Sequence, residues 1–184
     1  DTPQGMNREH ALFDQSRCVA AGASDTAPAL VALDASMVIQ NLNGERVIAA
    51  SDFFVGPAND IENTTVLRPG DILTSVRIPS TWANAEFYWE KVADRNVWDF
   101  SLVNVAAAFK TTDGQIEDSR IVVGAVQTTP RRLTEVENAI RGNSRNADTA
   151  EGVKELSTTG ARTLAHNGFK VPLMQNLVKR AISS

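Results

Sequence analysis

The chain reads in two hydrophobic registers. Up to residue 79 the apolar positions come in short runs divided by turn residues. Residues 6–13 read as a short helical turn. Ser24 or Asp25 can cap the next helix, which carries Pro28 in its first turn, where a missing N–H costs little. Leu30, Val31 and Leu33 give it an apolar face. Met37-Val38-Ile39, the turn pair Asn43-Gly44 and Arg46-Val47-Ile48 read as a β-hairpin. Ser51 to Phe54 reads as a short capped turn, and Gly56 to Asn63 as a polar loop. The turn Arg68-Pro69-Gly70-Asp71 launches a strand over residues 72–78. Strict alternation puts Ile72, Thr74, Val76 and Ile78 on one face, and Pro79 ends it.

Beyond residue 85 the runs lengthen and the period then changes. Residues 87–92 read as a strand, and the nearly uncharged stretch 100–110 as a strand buried on both faces. Asp113-Gly114 marks a hairpin turn into a third strand over 116–126, where Gly124 signals a close approach. After Pro130 the spacing becomes helical, with helices expected near 134–141, 149–166 and 172–182. Thr134 with Glu137 reads as a capping box, Gly142 as the end of that helix, Asp148 as the next cap and Pro172 as the start of the last helix. Three strands followed by three helices is an α+β pattern. The domain boundary is expected at residues 79–85.

Composition narrows the functional classes. The chain has 184 residues, 42% hydrophobic and 22% charged, near the norm for a globular protein. A net charge of −4 leaves no basic footprint for nucleic acid. No stretch reaches the roughly 20 apolar residues of a membrane span, and residues 1–17 lack an apolar signal core. The expected location is therefore the cytoplasm, with the periplasm still open. A lone Cys18 cannot form an internal disulfide or hold a zinc or iron–sulfur centre by itself. His10 and His166 have no carboxylate at metal-ligand spacing, and phosphate-cradling glycine patterns are absent. Taken alone, Asp25 is a helix cap, Lys91 a snorkelling lysine on an edge strand, and Trp82, Trp89 and Trp98 packing at a layer boundary.

The order of segments says more. Asn7-Arg8-Glu9-His10-Ala11, Arg17-Cys18-Val19-Ala20 and Ser24-Asp25-Thr26-Ala27-Pro28 come first. Gly44-Glu45-Arg46, Asp52-Phe53-Phe54 and Leu67-Arg68-Pro69-Gly70-Asp71-Ile72-Leu73-Thr74 follow. Glu90-Lys91-Val92-Ala93-Asp94-Arg95, Asp99-Phe100-Ser101-Leu102-Val103 and Phe169-Lys170-Val171-Pro172-Leu173 complete the series. In this order they resemble the FAD-binding subunit of the xanthine dehydrogenase, carbon monoxide dehydrogenase and molybdenum aldehyde oxidoreductase family, over essentially the whole chain.

The resemblance implies a small α+β second lobe of an FAD-binding domain over residues 1–79. A β-sheet plus three-helix flavoprotein C-terminal domain follows over 85–184. The family's first FAD lobe, its glycine-rich pyrophosphate loop and its Gly-Gly-Asn segment have no counterpart, so the chain resembles the C-terminal part of such a subunit. Weak binding of FAD, or none, is the matching expectation. Three cofactor-binding positions carry over: Asp25 at the FAD site, Leu73 lining the isoalloxazine region and Lys91 close to the flavin ring. No catalytic residue and no metal ligand are implied. FAD is the implied cofactor of the intact subunit, with the molybdenum cofactor in a large partner subunit and iron–sulfur clusters in a small one. The implied activity is an oxidoreductase's electron relay from iron–sulfur centres through FAD to an acceptor; the isolated piece is expected to be inactive. The alternative is a truncated interaction module that docks on partner subunits without FAD. Phe53, Phe54, Ile72 and Val76 are expected to lean on the C-terminal domain or, by self-association, on a second copy.

Overall fold

A computed structural model describes residues 3–184. Its architecture is α+β, as the pattern requires: two antiparallel sheets with helices between and behind them. The first sheet holds β1 (Ser36–Asn41), β2 (Gly44–Ala49) and β3 (Ile72–Arg77) in the order β2-β1-β3. The second holds β4 (Glu86–Val92), β5 (Val103–Thr112), β6 (Gln115–Gly124) and the short β7 (Arg131–Arg132) in sequence order. Helix α1 (Ala27–Ala32) precedes the first sheet and α2 (Ala50–Phe53) follows its hairpin. Helices α3 (Thr134–Ile140), α4 (Ala147–Val153) and α5 (Lys170–Ser183) close the chain.

Strand β5 explains the layering. Its first seven residues are all buried, as expected of the run 100–110, although the strand begins at Val103 rather than Phe100. Val103, Val105, Ala107 and Phe109 face a core built with α3, α4 and α5, where Met174, Leu177, Val178, Ala181 and Ile182 are fully covered. Leu12 and Phe13 from the N-terminal stretch join this core. Ala106 points the other way and packs with Val122 of β6 against Val31, Met37, Ile39, Ala50 and Phe53. The two sheets therefore share one apolar interlayer. Phe53 and Phe54 lean on the second sheet as expected, whereas Ile72 and Val76 stay 65% and 39% exposed. Trp82 fastens the same junction. It is 2% exposed, its Nε1–H donates to Asp34 at 2.8 Å, and the Arg120 guanidinium stacks over its ring.

Several local expectations are corrected. The register of β3 shifts between Val38 and Ile39 of β1, so Val76 pairs with Met37, Leu73 with Ile39 and Ile72 with Gln40. This bulge breaks the simple alternation: Leu73 and Val76 share a face, and Ile72 is on the other. Residues 6–13 form turns, not helix, because their backbone groups pair elsewhere. The Ala11 N–H donates to Val19, the Leu12 N–H to Val126, and the Glu9 and His10 carbonyls accept from Lys170.

The helix expected over 149–166 is only α4 and a 3-10 turn at Leu156–Thr158. Gly160 then turns left-handed at φ 81°, and the Arg162 N–H leaves to donate to Leu12. Asn146, not Asp148, caps α4 by accepting from the Thr149 N–H. Thr134 makes no cap: α3 starts after Leu133 without a side-chain bond, and Glu137 turns into the sheet instead. Gly142 does end that segment, at φ 78°.

Gly124 is the close approach that its position signalled. A Cβ there would collide with the Asn104 carboxamide and lie 2.7 Å from Pro28 Cγ of α1. Gly124→Ala should therefore push α1 off the sheet and cost about 1–3 kcal/mol, read as a lowered midpoint in urea unfolding.

Candidate functional site

The α1-facing side of the second sheet assembles the site. In β4 the alternation places Phe87, Trp89 and Lys91 opposite Ala108, Ala106 and Asn104 of β5. Lys91 thereby reaches the segment just before α1. Its Nζ donates to Asp25 at 2.6 Å and to the Asp99 carbonyl at 2.6 Å. The Ser101 hydroxyl donates to the other Asp25 oxygen at 2.6 Å, and the Asn104 amide donates to Ser101 at 2.8 Å and to the Ser24 carbonyl at 3.2 Å. Ser24, not Asp25, accepts from the Ala27 N–H at the helix start, which leaves the Asp25 carboxylate for Lys91 and Ser101.

The ion pair is half-open. The Lys91 and Asp25 side chains are 22% and 44% exposed. They floor a cleft of about 560 Å³ whose walls are Ala23, Ser24, Trp98, Asp99 and Phe100. A second cleft of about 350 Å³ continues from Ala23 and Phe100 past Glu9, His10 and Ser101. The third, about 270 Å³, runs on from Ala23 and Ser24 between Pro28, Phe54 and Thr65. One trough thus follows residues 20–25. The second cleft is lined by His10, whose buried Nδ1 has no hydrogen-bond partner.

Burial raises the Asp25 carboxyl, but the bonds from Lys91 and Ser101 and the Lys91 charge outweigh it and hold the group below its ordinary 3.8. The stability this carboxylate contributes is complete above pH 3.8. It is lost as the pH falls through the lowered folded value. In an NMR titration the Asp25 midpoint should lie under 3.8 and rise in Lys91→Met; an unmoved midpoint would show that the pair is not formed.

The structure brings together Asp25 and Lys91 and leaves Leu73 apart. Leu73 stands on β3, 37% exposed, and does not line the cleft. Ser101 and Asn104 escaped the reading of single residues. Their signal was two polar side chains inside an otherwise apolar run, where a buried polar group demands a partner. Among the described residues no cluster of His, Cys, Asp or Glu could hold a metal ion, and no helix is long and apolar enough to cross a membrane.

Two family models meet at this cleft. The FAD binding domain in molybdopterin dehydrogenase matches residues 16–81, and the CO dehydrogenase flavoprotein C-terminal domain matches 89–184. The chain belongs to the family of FAD-binding medium subunits of the carbon monoxide and xanthine dehydrogenases. It is 32% identical to the nicotine 6-hydroxylase medium subunit of Paenarthrobacter nicotinovorans over 163 residues, which are 83% of this chain and 53% of that relative. It is 30% identical to the aldehyde oxidoreductase FAD-binding subunit PaoB of Escherichia coli over 185 residues, 98% of this chain and 53% of PaoB. A chain of quinoline 2-oxidoreductase from Pseudomonas putida 86 superposes with a TM-score of 0.76 at 26% identity, covering 88% of this chain and 56% of that one. The chain thus spans about half the length of the curated relatives it matches.

The donor set suits part of an FAD molecule. A carboxylate, an ammonium and a hydroxyl at the cleft floor match the hydroxyls of a ribityl chain and the polar edge of a flavin ring. Aromatic walls match the faces of that ring. Among the described residues no glycine loop converges backbone N–H groups on a pyrophosphate.

Proposed function

We propose that this chain supplies one wall of the flavin site in the FAD-carrying subunit of a molybdenum hydroxylase. The observation that carries the reading is the Asp25–Lys91 pair at 2.6 Å, which joins the two family-matched regions across one cleft. When bound, the flavin supplies the electron relay, taking electrons from iron–sulfur centres of a small subunit and passing them to an acceptor. The large subunit of such an assembly carries the molybdenum cofactor.

The chain's own residues do three things in this reading. Lys91 holds a positive charge beside the ring, where negative charge gathers on reduction. Asp25 accepts hydrogen bonds from the ribityl chain and keeps the Lys91 ammonium in place. Ser101 and Asn104 fix the Asp25 rotamer from behind. Leu73 is proposed beside the isoalloxazine region on the resemblance alone, since it stands off the cleft.

The test is a titration of the purified chain with FAD, followed by flavin fluorescence. With the Asp25–Lys91–Ser101 donor set already in place, weak, saturable quenching is expected in preference to none, with at least a tenfold loss of affinity in Lys91→Met. Either no quenching by the wild-type chain or equal affinity in the variant would sink this reading.

A further inference from the structure

Trp98 is the most exposed aromatic side chain of the chain's described residues, at 97%, and it sits in the wall of the Asp25–Lys91 cleft. Its backbone is left-handed at φ 51°, a conformation that bulky residues avoid. Such strain persists only where neighbours over-determine it. Here the loop is fixed at several points. Arg8 grips Asp94 through two bonds of 2.7 and 2.8 Å. The Asp99 carboxylate accepts from the Arg95 and Phe100 backbone N–H groups at 3.1 and 3.0 Å, and its carbonyl accepts from Lys91. A pinned loop thus presents an unpacked indole beside a charged floor.

The geometry points to Trp98 as a stacking platform for the isoalloxazine ring. This inference rests on the flavin reading above and goes one step further by naming the side chain on which the ring would lie. An indole face favours a flat, polarisable partner over a flexible chain. FAD has two flat systems, and Lys91 chooses between them. Adenine stays neutral throughout the cofactor's cycle, whereas the isoalloxazine ring gathers negative charge when reduced. Only the isoalloxazine ring profits from an ammonium in the same cleft. Trp89 is a built-in control. It lies on the same face of β4 but lines a separate apolar groove with Ala29, Ala32 and Leu33.

The experiment measures dissociation constants for FMN, which carries the ring without adenine, and for ADP, which carries adenine without the ring. Wild-type chain is compared with Trp98→Ala, Trp98→Phe, Trp89→Phe and Lys91→Met, each checked for wild-type circular dichroism. Trp98→Ala should weaken FMN about tenfold, the usual worth of one aromatic stack. Trp98→Phe should stay within about threefold of wild type. Trp89→Phe should change nothing, and ADP should bind Trp98→Ala and wild-type chain alike. Undiminished FMN affinity in Trp98→Ala overturns the platform, as does a loss confined to ADP. If Lys91→Met weakens FAD while Trp98→Ala does not, the flavin reading stands without the platform. A wild-type chain that takes up neither FAD nor FMN overturns both.

Discussion

Lys170→Met should cost the fold about 3–5 kcal/mol, the penalty for stranding buried polar groups. Lys170 is fully covered, and its ammonium donates to the carbonyls of Ala125 at 2.7 Å, Glu9 at 2.8 Å and His10 at 3.2 Å. Methionine fills the same space and strands the Glu9 and Ala125 carbonyls, while that of His10 keeps its bond from the Asn167 amide at 3.1 Å. The two segments they belong to border the trough, so the 9–10 turn should loosen together with the global midpoint in urea. Burial also pushes the ammonium from 10.5 down to about 8. The folded chain thus binds this proton less tightly than the unfolded chain does. Between pH 8 and 10.5 the unfolded state holds more protons, and stability rises with pH across that window. The wild-type stability, less that of Lys170→Met, should therefore grow from pH 8 to pH 10. A flat difference would mean that the ammonium titrates alike in both states.

Glu137→Ala should cost about 2–4 kcal/mol. Glu137 is 3% exposed, although it sits in the first turn of a short helix. Its Oε1 accepts from the Ile121 backbone N–H at 2.9 Å, and both oxygens accept from the Arg132 guanidinium. The carboxylate therefore replaces a ladder partner at the point where β6 passes from β5 to the short β7. Alanine leaves the Ile121 N–H buried and unpaired. Amide exchange at Ile121 should quicken more than at Ile116, whose N–H is held by the Asn143 carbonyl. Equal acceleration at both would show a general loss of stability and no local bond.

Much of this fold was legible because its signals are local. The run 100–110 suits a strand covered on both sides, which the structure forms from Val103, and the change of period after Pro130 announced helices. The errors arose where a distant partner decided the local structure. Residues 6–13 carry a plausible helical spacing, yet Lys170 takes two of their carbonyls, and no sequence window includes both. The Thr134–Glu137 pair has the spacing of a capping box, yet β6 offers Glu137 a buried amide that outbids the helix start. Alternation in β3 fails at a bulge, which leaves no mark in residue type. Within the site, family order singled out Asp25 and Lys91, and the structure joins them. It could not show that Ser101 and Asn104 stand behind Asp25, because that depends on the path of the chain just before β5 and on which face of β5 Asn104 takes.

The small side chains on β5 have a mechanical consequence. Ala106 is the point where α1 and the first sheet meet the second sheet, and it is 3% exposed. Interlayer spacing is set by the volume of the side chains that fill it. Asp25 stands two residues before α1, and Lys91 is fixed to the sheet beneath. The gap between the two charges therefore depends on the small residues between helix and sheet, Ala106 and Gly124 among them. Ala106 acts as a shim: a thicker one lifts the helix and parts the carboxylate from the ammonium. The reach of the site is tuned from inside the hydrophobic layer, without any change to the residues that line the cleft.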